Sequence, residues 1–318
     1  MEYVDWCDMP RVSIVITSYN SGLLIGETLD SILAQSYRDF EIIVVDGGST
    51  DDTIEVVSRY SSPVRLIAGQ RLTKSAGRNV GIRAAQGEYI GFVDADDLWL
   101  PDKLQAQMDL LEEQPDLKWV YSDCYMFDGQ TGANICTWSS RSRLHAGNIL
   151  ESLFQDYFIA SPTPLVHRDV FDEVGHFDET FLRHQPEDTD MWLRVAAKFP
   201  VGLVSRPLAR FRRHPSSLTM REDPKMALDG VLFVLDQAVI REPSRLGSLR
   251  GQVFAKRYVA LGKGYAGMRQ TSAARAMFIK AIQCDLATPA AYMFWLSTWL
   301  GGTLLHYLHR LNVAKRGY

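Results

Sequence analysis

The chain has 318 residues, of which 46% are hydrophobic and 23% are charged, and its formal net charge is −4. This composition is that of a globular protein long enough for a large core or two domains. A net negative charge argues against nucleic acid as the main partner, because phosphate backbones are bound by basic faces.

The first hundred residues alternate between strand and helix patterns. Short apolar, β-branched runs predict strands, and apolar residues spaced three or four positions apart, such as Ile25, Leu29 and Ile32, predict the helices between them. The predicted strands are residues 12–17, 41–46, 64–68 and 88–94, and the third helix covers residues 75–85. Apolar strands separated by helices predict an α/β fold with a mostly parallel sheet covered by helices on both faces.

Polar side chains stand at the ends of three of these strands. Thr17, Asp46 and Asp94 each close a predicted strand. Ligands of open α/β sheets bind outside the carboxyl ends of the strands. We therefore expect these three residues to line one cleft.

Three carboxylates occur within four positions at the end of the fourth strand. Asp94, Asp96 and Asp97 repel one another, and a divalent cation is the usual reason to keep such a group, because oxygen ligands suit Mg²⁺ and Mn²⁺. The alternative is that the paired acids cap a helix beginning near Pro101.

A cation begins the third predicted helix. The guanidinium of Arg78 and the free amides of a helix start would face an anion such as a phosphate. A surface ion pair is the alternative for this residue taken alone.

The middle third of the chain is less regular. The patterns there predict a hairpin from residues 118–128 and 134–138, a helix over residues 187–199, and short strands at residues 201–204 and 208–211. Beyond Pro224 the pattern is helical throughout. We therefore divide the chain into a domain of residues 1–222 and a helical extension of residues 223–318.

Two features mark the helical extension. Residues 255–288 match the spacing of a single tetratricopeptide unit, which predicts a helical hairpin packed on its neighbours. Residues 289–308 are almost wholly apolar and precede a basic end, but glycines and His306 make them a poor membrane span. Two interpretations stay open for this segment: a helix lying in a membrane surface, or a buried core or partner-contact helix.

Cysteine spacing and the N-terminal composition indicate in which cellular compartment the protein lies. The four cysteines are far apart, so neither a zinc site nor a disulfide framework is expected. The N-terminal stretch lacks the basic and apolar regions of a secretory signal. We expect unpaired cysteines and a cytoplasmic location, with the inner face of the membrane as the surface that the apolar segment would contact.

Six motifs follow one another along residues 10–220. They are Val-Ser-Ile-Val-Ile-Thr-Ser-Tyr-Asn (12–20), Val-Asp-Gly-Gly-Ser-Thr-Asp (45–51), Gly-Arg-Asn (77–79), Asp-Ala-Asp-Asp (94–97), Pro-Glu-Asp-Thr-Asp-Met-Trp-Leu-Arg (186–194) and Phe-Arg-Arg-His (211–214). Together these motifs closely resemble the family-two inverting glycosyltransferases with the GT-A fold. The helical extension is not part of the resemblance.

The resemblance implies that a sugar passes from a nucleotide-diphosphate sugar to a hydroxyl acceptor with inversion at the anomeric carbon, helped by Mn²⁺ or Mg²⁺. The implied donor-binding residues are Thr17, Tyr19, Asp46, Arg78 and Asp94, the implied metal ligands are Asp96 and His214, and the implied catalytic base is Asp188. Glu187 and Asp190 are rivals for the base, and helix capping is the structural alternative for Asp188.

The same resemblance favours a uridine diphosphate sugar as donor and a saccharide or lipid-linked acceptor, in surface polysaccharide or glycolipid synthesis. Because the chain has no Gln-x-x-Arg-Trp run, which marks the processive members of the family, addition of a single sugar is expected. One departure weakens the assignment of uridine: Gly47 occupies the position of an acid that commonly contacts uracil in the family.

Two other classes of function compete with this interpretation. The first is a catalytically silent scaffold that binds a nucleotide and recruits partners through its helical tail. The second is a dinucleotide-dependent oxidoreductase, which is disfavoured because Gly-x-Gly-x-x-Gly does not follow the first strand.

Overall fold

The computed structural model describes residues 9–181, 185–215 and 223–299. The chain groups into two compact units, one of Met1–Arg183 with Glu187–Met220 and the other of His184–Pro186 with Arg221–Tyr318. The domains predicted at residues 1–222 and 223–318 stay a prediction, because compact packing does not test whether each part folds alone.

The first unit is built on a nine-stranded sheet. Its strands are β1 (Val12–Ser18), β2 (Phe40–Asp46), β3 (Val64–Ala68), β4 (Tyr89–Asp94), β5 (Leu98–Trp99), β6 (Trp119–Asp128), β7 (Asn134–Thr137), β8 (Leu165–His167) and β9 (Gly202–Arg213). The order is β3-β2-β1-β4-β8-β6-β9-β5, with β7 paired to β6. The four N-terminal strands are parallel, as the sequence predicts, and β8 is antiparallel to both of its neighbours.

Helices connect these strands and cover the sheet. They are α1 (Ile25–Leu33), α2 (Thr53–Ser58), α3 (Lys74–Ala84), α4 (Lys103–Glu113), α5 (Leu150–Gln155), α6 (Asp169–Val174) and α7 (Glu187–Lys198). One side of the sheet buries Ile25, Leu29 and Ile32 of α1 against apolar residues of the parallel strands. The i, i+4, i+7 spacing of these residues in the sequence is therefore the face that the helix buries.

Helix α3 lies very close to strand β1 because it presents glycines to the sheet. A Cβ atom at Gly81 would lie 2.3 Å from Cγ1 of Val15, and one at Gly77 would lie 3.1 Å from Cγ2 of Thr17. The side chain of Thr73 caps the start of the helix by accepting a hydrogen bond from the Ala76 amide. This close approach places the first turns of α3 over the ends of the parallel strands.

Strand β9 differs from the prediction. The sequence predicts two short strands, at residues 201–204 and 208–211, but the structure has one continuous strand of 12 residues. Pro207 separates the two predicted segments, and it lies where the register with β6 shifts around Asp123. A proline cannot donate to a neighbouring strand, so this irregularity lets β9 continue through it.

The predicted hairpin is confirmed by the antiparallel pairing of β6 with β7. Cys124 lies in β6 and Cys136 in β7, and both are free, as is Cys284. The expectation of unpaired cysteines is therefore met within the described part of the chain.

The second unit is helical over residues 223–299. It contains α8 (Pro224–Arg241), α9 (Pro243–Leu246), a 3₁₀ turn (Gly247–Leu249), α10 (Arg250–Gly267), α11 (Thr271–Cys284) and α12 (Pro289–Ser297). Helices α10 and α11 form the predicted hairpin. A Cβ atom at Gly262 would lie 2.5 Å from the ring of Phe278, so glycine is what allows this ring to pack between the two helices.

The apolar segment predicted at residues 289–308 is only partly described, because residues 300–308 lie outside the described ranges. Helix α12 buries Ala291 and Phe294 within the second unit. Trp295 is partly buried against the same cluster, whereas Tyr292, Met293 and Leu296 of the helix and Trp299 just beyond it are exposed. No described helix is long and apolar enough to cross a membrane. Contact with a membrane surface stays a prediction.

A lysine is buried at the start of α4. Lys103, the first residue of α4, is fully buried, and its Nζ donates a hydrogen bond of 2.6 Å to Oε1 of Gln107. The same Nζ lies 3.9 Å from the centroid of the Trp99 ring. Burial lowers the pKa of Lys103 to about 7.

This lysine predicts a pH dependence of stability. Between about pH 7 and about pH 10 the unfolded chain binds a proton at residue 103 that the folded chain does not, so this residue makes the free energy of unfolding rise with pH. We expect Lys103→Met to flatten that rise, in urea unfolding measured at about pH 6, 8 and 10.

The exposed residue Lys198 provides the control, because Lys198→Met should keep the wild-type slope. The free energy of unfolding of Lys103→Met should also be lower by a constant amount, since Gln107 loses its donor at every pH. An unchanged slope in Lys103→Met would show that this amine stays protonated in the folded protein.

Candidate active site

The predicted cleft forms where the parallel strands end. Strand pairing sets Ser18 beside Asp46 and Thr17 beside Asp94. The structure therefore brings Thr17, Asp46 and Asp94 together at one edge of the sheet, as the strand pattern predicts.

Asp46 organises the loop that follows β2. Its side chain is fully buried, and Oδ1 accepts hydrogen bonds from the amides of Gly48 at 2.9 Å and Ser49 at 2.8 Å. Its Oδ2 accepts from the Ser49 hydroxyl. Gly48 has a φ of 94°, which only glycine adopts readily. The carboxylate is thus used to hold the loop in place.

The loops after β1 and β2 are joined to each other. The amide of Asn20 donates to Oγ of Ser49 at 2.8 Å, and the amide of Thr50 donates to Oδ1 of Asn20 at 2.8 Å. Tyr19 stands beside this junction with 63% of its surface exposed. An exposed aromatic ring on a fixed loop can stack on a planar ligand.

Arg78 lies at the centre of a buried ion-pair network. Its Nη1 donates to Oε1 of Glu187 at 2.6 Å and its Nη2 donates to Oδ1 of Asp94 at 3.3 Å, while only 4% of its side chain is exposed. Lys74, one helical turn earlier, donates to Oδ2 of Asp94 at 2.7 Å. The surface ion pair considered from the sequence is therefore wrong, because Arg78 is buried and both of its acidic partners are mostly buried.

The charges of this network stabilise one another. Burial, the largest single influence, would lower the pKa of Lys74, but the Asp94 carboxylate and Glu187 together outweigh it and the pKa is raised. Burial works in the opposite direction on Asp94, where Lys74 and Arg78 together lower the pKa. All three groups are therefore ionised at neutral pH, and Lys74 and Arg78 present positive charge at the ends of the strands.

The acidic cluster at the end of β4 contains two kinds of carboxylate. One oxygen each of Asp94, Asp96 and Asp97 lies within 4.8 Å of the others. The carboxylate of Asp96 is 33% exposed, and its Oδ2 lies 2.9 Å from Nε2 of His214. Asp94 is already paired with cations, so Asp96 is the more accessible carboxylate of the group, and the mostly buried His214 lies beside it.

Asp97 is the buried member of the cluster. Its Oδ1 accepts a hydrogen bond of 2.9 Å from the Arg212 amide, and its Oδ2 is buried without a hydrogen-bond partner in the described ranges. Burial, with the neighbouring carboxylates of Asp96 and Asp94, raises the pKa of Asp97 well above its usual range. Asp96 and Asp97 precede strand β5 rather than a helix, so the helix-capping alternative is wrong.

Three acids occupy the start of α7, and two of them are engaged elsewhere. Glu187 is paired with Arg78, and Asp190, which is 1% exposed, accepts a hydrogen bond of 2.8 Å from Nε of Arg194. Asp188 forms no salt bridge among the described residues. The structure thus separates the candidate base from its two rivals by their partners.

The carboxylate of Asp188 is held by hydroxyl and amide donors. Oγ of Ser161 donates to Oδ2 at 3.1 Å, and the amide of Thr189 donates to Oδ1 at 2.7 Å. The Tyr157 hydroxyl is buried nearby; burial, followed by the Asp188 charge, raises the pKa of Tyr157 well above its usual range. This arrangement leaves a carboxylate that can accept a proton from a bound hydroxyl group.

Sequence reasoning missed several residues of this site. Lys74 was detectable, because it lies four positions before Arg78 and hence on the same helix face. Ser161 and Tyr157 come from an irregular segment without a periodic signal. Arg212, which donates to the backbone of Asp96 and to Glu27, lies in a run of basic residues that does not reveal which member turns inward.

Comparison with known proteins identifies related sequences. Residues 13–175 match the family described as glycosyl transferase family 2. An uncharacterized glycosyltransferase of Rickettsia felis is 30% identical over 236 residues, which cover 73% of this chain and 38% of that protein. The amylovoran biosynthesis glycosyltransferase AmsB of Erwinia amylovora is 36% identical over 211 residues, which cover 63% of this chain and 68% of AmsB.

Solved structures share the fold. TarS of S. aureus (residues 1–349), in complex with UDP-GlcNAc, matches with a TM-score of 0.64 at 19% identity, over 86% of this chain and 81% of that one. The mannosyltransferase PcManGT of Pyrobaculum calidifontis, in complex with GDP-Man and Mn²⁺, matches with a TM-score of 0.62 at 20% identity, over 98% and 85% of the two chains. The GT-A fold expected from the motifs is thereby confirmed.

The buried network predicts a large effect of substitution at Arg78. Arg78→Met would remove the nearer cation of the mostly buried Glu187 carboxylate and leave only Lys74, 3.9 Å away, and breaking a buried pair costs about 3–5 kcal/mol. We expect a markedly lower midpoint of thermal unfolding, measured by circular dichroism. Arg59→Met, which breaks the exposed pair with Glu55, is the control and should cost at most about 1 kcal/mol. Equal midpoints for the two variants would show that the Arg78 network adds no stability.

Proposed function

The chain belongs to glycosyl transferase family 2, and on this premise we propose that it transfers a single sugar from a nucleotide-diphosphate sugar to an acceptor hydroxyl with inversion. The observation that carries the proposal is the set of partners at the start of α7: Glu187 and Asp190 are ion-paired, whereas within the described ranges the Asp188 carboxylate accepts from a hydroxyl and an amide and forms no ion pair. A base that is not paired with a cation is free to take the acceptor's proton.

The donor would lie along the ends of the parallel strands. Thr17, in β1, and Tyr19, just after it, would contact the base beside the loop that Asp46 holds. Asp94 would bind the ribose, as its position in the family motif implies. Lys74 and Arg78 supply positive charge for the diphosphate, the part of the donor on which negative charge develops.

A uridine diphosphate sugar remains the favoured donor. The related structures were solved with UDP-GlcNAc and with GDP-Man, so the fold accommodates more than one base. A Cβ atom at Gly47 would lie 3.3 Å from the Leu72 carbonyl oxygen and 3.4 Å from that of Ser18. This crowding supports a base contact through backbone and Tyr19 rather than through an acid at position 47.

The acidic cluster fits a divalent cation. Three carboxylates converge there, one buried oxygen of Asp97 has no hydrogen-bond partner within the described ranges, and Asp96 and His214 place oxygen and nitrogen ligand atoms side by side. Asp96 and His214 would hold Mn²⁺ or Mg²⁺, with Asp97 behind them. When bound, the cation would stabilise charge on the leaving diphosphate.

Asp188 would act in the transfer step. The acceptor hydroxyl attacks the anomeric carbon from the side opposite the diphosphate while its proton passes to the Asp188 carboxylate. The new C–O bond to the acceptor forms as the C–O bond to the nucleoside diphosphate breaks, so the anomeric configuration inverts.

The biological setting follows from the relatives. AmsB is described as an enzyme of amylovoran biosynthesis, which supports surface polysaccharide or glycolipid synthesis on a saccharide or lipid-linked acceptor. We place the protein in the cytoplasm and propose peripheral contact of the apolar C-terminal segment with the inner face of the membrane, supported by the exposed Leu296 and Trp299. Donor binding without turnover would instead support the scaffold alternative.

The metal assignment predicts the behaviour of Asp96→Asn. This variant loses a negatively charged ligand and relieves repulsion within the cluster, so the fold should survive while most of the activity is lost. Thermal shift with UDP-glucose, UDP-GlcNAc and GDP-mannose, each with Mn²⁺, should show donor stabilisation in the wild type and little in Asp96→Asn. His214→Ala should lose less of this donor stabilisation than Asp96→Asn does.

Asp116→Asn makes the same chemical change at an exposed position outside the cleft and should behave as wild type. Metal dependence is wrong if a chelator leaves wild-type turnover unchanged. The ranking of the ligands is wrong if His214→Ala loses as much donor stabilisation as Asp96→Asn.

The base assignment predicts the behaviour of Asp188→Asn. This substitution is nearly isosteric and keeps a side-chain acceptor, so stability should change little, while turnover should fall by about 10²-fold or more. Donor affinity should hold, because Asp188 would face the acceptor. Near-normal turnover in Asp188→Asn, with loss in Asp190→Asn, would move the base to that neighbour. Retention of the anomeric configuration in the product would overturn the mechanism.

A further inference from the structure

The hydroxyl that contacts Asp188 belongs to a tight turn. Ser161 and Pro162 form the centre of a turn that begins at Ala160 and ends at Thr163. The turn is closed by hydrogen bonds from the amide of Thr163 at 3.0 Å and from its hydroxyl at 2.7 Å, both to the Ala160 carbonyl. Ser161 extends from this turn to donate to Oδ2 of Asp188.

Two buried side chains hold the turn from behind. Nε1 of Trp99 donates to the Pro162 carbonyl at 2.9 Å, and Nε2 of Gln107 donates to the Thr163 carbonyl at 2.8 Å. Trp99 is 2% exposed and Gln107 is fully buried. Each therefore satisfies a carbonyl group of the turn that is shielded from water.

Lys103 links the two anchors. Its Nζ donates to Oε1 of Gln107, which fixes the orientation of the Gln107 amide and directs Nε2 toward the Thr163 carbonyl. The same amine lies over the ring of Trp99. A buried lysine normally costs stability, and the contacts that this one makes with Gln107 and Trp99 are ones that an apolar side chain could not make.

Trp99 also connects the turn to the acidic cluster, because it follows Asp97 by two positions in the chain. A single indole N–H therefore joins the segment that carries Asp96 and Asp97 to the turn that contacts Asp188. The two halves of the candidate site are linked by this bond within the first unit.

We propose that Ser161 is a positioning residue for Asp188, and that Trp99, Gln107 and Lys103 hold its turn in register with the acidic cluster. This inference rests on the proposed function, in which Asp188 is the base. With Ser161 at Oδ2 and the Thr189 amide at Oδ1, the plane of the carboxylate is fixed. Misplacement of a reacting group by about 1 Å costs on the order of 10²-fold in rate, so such fixing has a measurable value.

The test compares two buried tryptophans whose indole N–H groups donate to different carbonyl groups. Trp99→Phe removes the bond to the turn. Trp119→Phe is the matched control: Trp119 is equally buried, and its Nε1 donates to the Phe199 carbonyl, away from the turn. Turnover is followed as nucleoside diphosphate release from UDP-glucose, UDP-GlcNAc and GDP-mannose with Mn²⁺, where water replaces the acceptor hydroxyl.

We expect kcat to fall about 10-fold in Trp99→Phe and about 10-fold in Ser161→Ala, with the KM for the donor and the stabilisation by Mn²⁺ unchanged. Ser161→Thr, which keeps a hydroxyl, should recover part of the loss. Because Ser161 donates to the ionised carboxylate, its removal should also move the acid limb of the kcat–pH profile to higher pH. Ser142→Ala removes a serine that donates to Asp156, and it should change neither kcat nor the kcat–pH profile.

The double variant Trp99→Phe with Ser161→Ala should lose little more than either single variant, since both break the same connection. If the double variant instead loses kcat by the product of the two single losses, the residues act independently and the link through the turn is wrong. If Trp99→Phe and Trp119→Phe lower kcat equally, Trp99 acts only through packing.

Failure of the inference and failure of the proposed function give different results. If Asp188→Asn releases nucleoside diphosphate at the wild-type rate, the proposed base is wrong and the inference falls with it. If Asp188→Asn is inactive but Ser161→Ala and Trp99→Phe keep the wild-type kcat and pH profile, the base stands and the positioning role alone is wrong.

Discussion

The candidate site depends on the buried guanidinium of Arg78. This group joins Asp94, at the end of a parallel strand, to Glu187, at the start of a helix from a later part of the chain. A charge taken out of water is tolerated only when its partners are well placed, so the network fixes the distance between strand and helix. Because Asp188 is the next residue after Glu187, its place relative to the sheet follows from the same ion pair.

The parallel half of the sheet could be predicted because its signals are local. Each strand is an apolar run bounded by polar residues, and a parallel sheet gathers strand ends at one edge whatever their separation in sequence. The strand pattern alone therefore predicts that Thr17, Asp46 and Asp94 lie together. The acidic cluster was equally visible, since three carboxylates in four positions need no tertiary information to be noticed.

What could not be predicted depends on contacts between distant parts of the chain. Nothing in the sequence around Asp46 indicates that its carboxylate holds its own loop. The family resemblance favours Asp188 over Glu187 and Asp190, but the residue types do not show their surroundings, and the partners Arg78 and Arg194 are what distinguish them physically. Likewise, the irregular segment that carries Ser161 has no period from which its anchoring by Trp99 could be inferred.

The glycines of α3 affect how this protein would respond to mutation. A methyl group at Gly81 would overlap Val15, so the height of the helix above the sheet is set by the lack of a side chain. Lys74 and Arg78 belong to the same rigid helix, and any larger residue at position 81 would shift both cations together. Variants with altered affinity for anions can thus arise at a position that touches no ligand, and a mutant library restricted to cleft-lining residues would overlook them.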